Sequence, residues 1–297
     1  MKKTIIFTFI MFTFFFTGCG EGAQESYKPT ASLKSVKVYK FAVHPYLNSK
    51  KMYTSYRPIL DHIETQIGDI KIILETSPTY ADYNVKLYRG DFDISLPNPF
   101  QTYNALSYNY KVYARMKPDS VFRGIFVARK SLHLKNPKQL IGKKVSFPAP
   151  TALAATMMPL YYLYEHGIDL NKDITQKYVG SQYSSILNAY TLDTAAAATW
   201  SPPWESWKKE NPQKALEMEV VWETKSLINN AIVIKKDMDE KLAQRIVAIL
   251  VNLDTTKDGK KLLANAGFEG FQNSKDEDFN VVADFLKNYD KAIGIPK

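Results

Sequence analysis

The sequence predicts an α/β fold organised around two cores. Short apolar or alternating runs recur as strands, and segments with apolar residues at helical spacing fall between them. At 297 residues, 45% of them hydrophobic and 23% charged, the chain is also longer than a single core usually fills. Strands alternating with helices at this pitch imply parallel-rich sheets.

Val36 to Val43 alternates and then turns apolar, a strand that ends at His44-Pro45-Tyr46. Tyr56, Ile59, Leu60, Ile63 and Ile67 mark one face of a helix that Gly68 stops. Ile70 to Glu75 is a second strand and Tyr80 to Arg89 a second helix. Phe92 to Leu96 is a third strand, closed by Pro97-Asn98-Pro99. A short helix from Phe100 to Leu106 follows, with a strand from Tyr110 to Met116. Val121 to Lys130 reads as a strand and Ser131 to Leu140 as a loop with a short helix.

Lys144 to Met158 then forms a strand, a loop broken by Pro148 and Pro150, and the start of a helix reaching Glu165. A helix that opens from such a turn offers unpaired N–H groups and the positive end of its dipole to an anion. Ile174 to Val179 is a strand, Ser184 to Tyr190 a helix, and Thr194 to Trp200 a small-residue strand running into Ser201-Pro202-Pro203-Trp204. Strands from Val220 to Thr224 and Ala231 to Ile234 come next. Asp237, with Glu240 three residues on, reads as the cap of a helix carrying Leu242, Ile246, Ile249, Leu250 and Leu253. Gly259 to Phe271 and Phe279 to Tyr289 read as terminal helices.

The formal net charge of +9 comes mostly from lysines spread singly, without a basic block, so no nucleic-acid partner is expected. Lys2 and Lys3 precede an apolar run from Ile5 to Phe16. That run is too short for a bilayer span of about 20 residues but suits a signal peptide. Residues 1–18 are therefore expected to be a signal peptide. Phe16-Thr17-Gly18-Cys19 resembles the bacterial lipobox, which implies a lipidated Cys19 at the mature N-terminus and a flexible tether through residue 34. Cys19 is the sole cysteine, so the exported domain has no disulfide and no Cys metal site.

The sequence has no GxxxxGK, GxGxxG, HExxH or GxSxG motif, and its four histidines are scattered. No enzyme activity, cofactor or metal is expected. Asp91 and Asp93 suit a helix-to-strand turn. In open α/β sheets ligands bind beyond the carboxyl ends of strands. That rule selects His44 and Tyr46, Ser77 to Tyr80, Pro97 to Phe100, Pro148 to Thr156, Ser181 to Tyr183, and Trp200 to Trp204. Aromatic, amide and hydroxyl groups dominate these stretches, a composition for binding by hydrogen bonds and aromatic walls.

The order of several pieces resembles the phosphate/phosphite/phosphonate-type substrate-binding proteins of ABC transporters. These are Ser77-Pro78-Thr79-Tyr80-Ala81-Asp82, Gly90-Asp91-Phe92-Asp93-Ile94-Ser95, Pro148 to Pro159, Tyr178-Val179-Gly180, Leu192 to Ala196, and Gly259 to Leu263 leading to Gly267-Phe268. The resemblance implies a two-lobe type II periplasmic binding protein fold with a ligand cleft between the lobes. Lobe one would be 35–120 plus 226–297, and lobe two 121–225. It implies a lipid-anchored monomer on the periplasmic or outer cell-surface side, delivering a phosphonate, phosphite or phosphate-like ligand to an ABC permease. The alternative is a sensor reporting to a membrane kinase. The expected ligand-binding residues are His44, Tyr46, Tyr80, Pro97, Asn98, Thr151, Ala152, Leu153, Ser181, Gln182, Trp200 and Trp204. The family's usual Ser-Thr-Ser cluster is here Ala152-Leu153-Ala154, and a loop that often carries His has Ser181. These replacements favour a less charged or more apolar ligand.

Overall fold

Two mixed sheets form the frame of the computed structural model, which describes residues 36–296; the expected signal peptide, Cys19 and tether lie outside them. The first sheet takes β1 (Lys37–Val43), β2 (Ile70–Glu75), β3 (Ile94–Leu96), β4 (Tyr110–Lys117), β10 (Ala231–Lys235) and β11 (Gly270–Asn273). Their spatial order is β11-β4-β10-β3-β1-β2. The second takes β5 (Gly124–Arg129), β6 (Lys143–Phe147), β7 (Ile174–Tyr178), β8 (Ala196–Trp200) and β9 (Met218–Glu223), in the order β7-β6-β8-β5-β9. Each sheet with its helices is one lobe.

The parallel-rich expectation holds for only part of each sheet. β1 pairs in parallel with β2 and β3, and β6 with β7 and β8, as strand–helix–strand units require. The pairs made by β4, β5, β9, β10 and β11 are antiparallel. These strands flank the two crossings between lobes or close the chain, so they enter their sheets from the opposite direction. The crossings run side by side: Met116 N–H donates to Asn230 O (2.9 Å), Leu227 N–H to Phe122 O (2.9 Å) and Thr224 N–H to Gly124 O (2.9 Å).

Local signals explain most helix ends. In α1 (Ser49–Ile67), Met52, Tyr56, Ile59, Leu60 and Ile63 are buried, Asn48 caps the start by accepting from Lys51 N–H, and Gly68 closes the end. α2 (Tyr80–Arg89) starts at the Thr79 cap and stops at Gly90, whose φ of 80° is left-handed. α3 (Pro99–Ala105) has a reciprocal capping box between Asn98 and Gln101. α4 (Met158–Glu165) is preceded by a π-helical turn at Leu153–Met157. α5 (Gln182–Tyr190) lies against β8, whose alanines allow its close approach.

Three assignments differ from the sequence reading. Ser201 to Glu210 is a helix (α6), because Pro202 and Pro203 occupy the first helical positions, where their missing N–H groups cost nothing. After α7 (Pro212–Ala215), α8 (Glu240–Val251) is capped by Asp239, not Asp237: the Asp239 carboxylate accepts from Leu242 N–H at 2.8 Å. α9 (Lys257–Ala266) ends at left-handed Gly267, so Phe271 belongs to β11, and α10 (Asn280–Ala292) closes the fold.

Candidate ligand-binding site

The strand-end stretches converge between the lobes. His44 and Tyr46 follow β1, Tyr80 follows β2, and Pro97 and Asn98 follow β3; from the other lobe come Thr151 to Leu153 after β6, Ser181 and Gln182 after β7, and Trp200 at the end of β8. Contacts made by these residues and their neighbours join the two lobes. The Gln182 amide N–H donates to the Tyr80 hydroxyl at 3.2 Å, and the Asn98 amide to Thr151 O at 3.0 Å. The Asn84 amide reaches the Thr151 hydroxyl at 3.4 Å. The rings of Tyr46 and Trp200 meet edge to face with centroids 5.4 Å apart. Lys51 pairs with Glu210 at 3.2 Å beside a cavity of about 50 Å³ that Tyr46 and Gln182 also line.

The polarity of one hydrogen-bond chain is fixed. The Thr199 hydroxyl donates to Gln182 Oε1 (2.8 Å), which aims the Gln182 N–H at Tyr80. Tyr80 therefore accepts, and its own O–H is left to donate to a ligand. Burial pushes this hydroxyl well up in pKa, with the Gln182 bond working the other way, so it stays a donor across the physiological range.

The helix start that follows β6 is unusually bare. Ala152 is in the capping position with no side-chain bond, and the π-helical turn closes with Met158 N–H on Leu153 O. Thr156 and Met157 N–H both reach back to Ala152 O, at 2.7 and 3.3 Å. Among the described residues the N–H groups of Leu153, Ala154 and Ala155 meet no acceptor, although all three residues are buried. Unpaired buried donors at the positive end of a helix attract an oxyanion. Gly124 on β5 holds this turn in place: a Cβ there would run into the Ala154 carbonyl and come within 2.7 Å of the Pro159 ring.

His44 sits deep in the first lobe. Its Nδ1 lies 2.9 Å from Leu96 O, a carbonyl that can only accept, so the proton is on Nδ1. Burial lowers its pKa to about 4, against the raising effect of that hydrogen bond, and the ring is neutral near pH 7. Tyr46, whose hydroxyl shares a 2.7 Å bond with that of Tyr56, is pushed up to about 12 by burial.

Not every expected residue faces the cleft. Trp204 stacks on Trp207 (5.4 Å) in a separate cluster with Ile125, Val127 and Ile186, because the α6 helix turns both rings onto the sheet. Ser181 spends its hydroxyl capping α5, accepting from Ser184 N–H at 3.0 Å, and the adjacent Gln182 crosses instead. Leu153 contributes backbone, since its side chain is part of the core. Pro97 is buried and fixes the turn that presents Asn98. Two hydroxyls within the strand-end stretches were not singled out: Ser77 and Thr156 are buried, and neither has a hydrogen-bond partner among the described residues. Unsatisfied buried hydroxyls are the signal for them, and it appears only in three dimensions.

The family model of the ABC transporter phosphonate periplasmic substrate-binding protein matches residues 41–279. Among curated relatives, the chain is 25% identical over 167 residues to the probable ABC transporter phosphite binding protein PhnD1 of Prochlorococcus marinus (strain MIT 9301). That match covers 52% of this chain and 56% of the relative, little more than half of either. The chain is 19% identical over 256 residues to the phosphonates-binding periplasmic protein of Escherichia coli (strain K12), covering 84% of this chain and 75% of the relative. The structure of the P. marinus protein in complex with methylphosphonate shares the fold with a TM-score of 0.78 at 20% identity, over 86% of this chain and 99% of that one. With its family model matched over most of its length and its two lobes meeting at the strand ends, this chain belongs to the phosphonate periplasmic substrate-binding proteins of ABC transporters.

Proposed function

We propose that this protein captures a small phosphonate-type oxyanion between its lobes and delivers it to an ABC permease. The observation that carries the reading is the set of three N–H groups at buried Leu153 to Ala155 that are unpaired among the described residues, at a helix start that Asn98 joins to the other lobe through Thr151 O. The halves 35–120 plus 226–297 and 121–225 would close as bodies about the paired crossings, a hinge motion that a permease reads. His44, Tyr46, Tyr80, Asn98, Thr151, Gln182 and Trp200 form the side-chain set, with Ala152 and Leu153 contributing backbone. Ser77 and Thr156 add donors. Family members usually grip the anion with a hydroxyl cluster; here backbone N–H groups take that part.

Titration calorimetry with methylphosphonate, phosphite and phosphate is expected to show saturable binding of at least one. Trp200 lies on the closing face against Tyr46, so binding should change tryptophan emission, and Trp200→Phe should remove that change. Heat and emission both flat for all three anions would overturn the assignment.

The lipobox-like Phe16 to Cys19 supports anchoring through a lipid on Cys19, leaving the binding domain on a tether outside the cytoplasmic membrane. Cys19→Ser is expected to move the protein from the membrane fraction to the soluble one, and retention at the membrane would sink the anchor.

A further inference from the structure

His44 offers the ligand an acceptor, not a charge. With its proton held on Nδ1 by Leu96 O, Nε2 carries a bare lone pair, and among the described residues it has no hydrogen-bond partner. The residue is 2% exposed. The groups packed around the ring are all neutral: Tyr46 at 5.1 Å, Tyr80 at 6.0 Å and Tyr83 at 6.4 Å between centroids, with Tyr56 behind Tyr46. β3 contributes the Leu96 carbonyl and Ser95, whose hydroxyl bonds Ala42 O. Across the cleft stand Gln182 and Trp200, neither of which ionises. Lys51, which lines a cavity beside Tyr46 and Gln182, is already paired with Glu210, and among the described residues no cation forms a hydrogen bond or ion pair with His44, Tyr46, Tyr80, Gln182 or Trp200.

These two facts point the same way. A dianion would bring two charges into a buried site whose donors are neutral N–H and O–H groups, with no cation to offset the second. A lone pair at Nε2 would repel a bare oxyanion oxygen but would accept a hydrogen bond from an O–H on the same ligand. We infer that the site selects the singly protonated, singly charged form of its oxyanion, with His44 Nε2 accepting the ligand's remaining proton and the helix start and Tyr80 holding its charged oxygens. The inference rests on the phosphonate-type reading above and narrows it: fully deprotonated dianions and proton-free monoanions such as sulfonates are rejected. It needs no protonation of the protein, since His44 acts in its neutral form.

The test is titration calorimetry of the full chain with methylphosphonate from pH 6 to 9, with methanesulfonate, of similar shape and single charge but no acidic proton, as the comparison. Above the second pKa of methylphosphonate its affinity should fall tenfold per pH unit, because the monoanion fraction does. In that range binding should take up one proton, read as a dependence of the heat on buffer ionisation enthalpy. At pH 6 methanesulfonate should bind at least about tenfold more weakly, and His44→Phe should narrow that gap. Affinity that is flat or rising across the range, or equal binding of the two probes at pH 6, would overturn the inference while leaving the oxyanion assignment standing. Absence of methylphosphonate binding at every pH would overturn the inference, and the oxyanion assignment falls with it only if phosphite and phosphate also fail to bind. The two-ligand comparison on the unmodified protein decides the matter even if His44→Phe fails to fold.

Discussion

An Ala152→Asp chain is expected to be more stable than the natural one and nearly unable to bind an anion. Ala152 occupies the cap of the helix start with φ −78° and ψ 93°, an extended conformation from which a carboxylate reaches the N–H groups two and three residues on. Those N–H groups, on Ala154 and Ala155, are unpaired. Supplying the missing cap stabilises a helix by about 1 kcal/mol, which is on the order of a 2–4 °C rise in melting temperature for a domain of this size. The same carboxylate fills the anion position with its own charge. Losing two charge-assisted hydrogen bonds of roughly 1.5–3 kcal/mol each weakens binding by at least about a hundredfold. Calorimetry and a melting curve on the same preparation check both halves, and a variant that melts lower or keeps its affinity would show that these donors do not face a ligand. Stability and function are opposed at this one residue.

Tyr80→Phe removes one oxygen and is expected to weaken ligand binding at least about thirtyfold. The ring keeps its edge contact with His44, so the packing of the first lobe is preserved. Two things are lost: the O–H proposed above to donate to the ligand, and the acceptor for the Gln182 amide, which is left unpaired in a buried setting. Each is worth roughly 1–3 kcal/mol. Removing Gln182 as well separates them: if the amide penalty dominates, Gln182→Met on the Tyr80→Phe background recovers part of the affinity. Unaltered binding by Tyr80→Phe would exclude the hydroxyl from the site.

Much of this was legible in the sequence because the signals were local. Gly68 and Gly90 stop helices where the sequence reading ends them, whereas Gly267 was read through, and alternating or apolar runs located all but one of the strands. β11 escaped because four residues, Gly270 to Asn273, make a strand only by pairing with distant β4. Strand direction was also hidden: nothing local in Ala231 to Lys235 says that the chain arrives from the other lobe. The strand-end rule selected stretches that touch one another across the two lobes but left open the orientation of each side chain. Ser181 and Gln182 are neighbours, and which one crosses depends on the capping bond to Ser184. Trp204 was misplaced because Ser201-Pro202-Pro203 was read as the end of a strand and not also as the first turn of a helix. Once α6 is recognised, the three-residue spacing of Trp204 and Trp207 assigns both rings to the inner face.

The bonds that tie Gln182 to Tyr80 and Asn98 to Thr151 use only the protein's own groups. Part of the free energy of closing is therefore built into the polypeptide and does not wait for cargo. In a shut-or-open equilibrium, the observed dissociation constant is the intrinsic one divided by the fraction already shut. Under the proposed closure, affinity then depends on the strength of these clasps as well as on the contacts that the same residues make to a ligand. In the proposed carrier the same setting would govern how often the empty protein shuts, so the clasps would set a compromise between scavenging at low concentration and silence when nothing is bound.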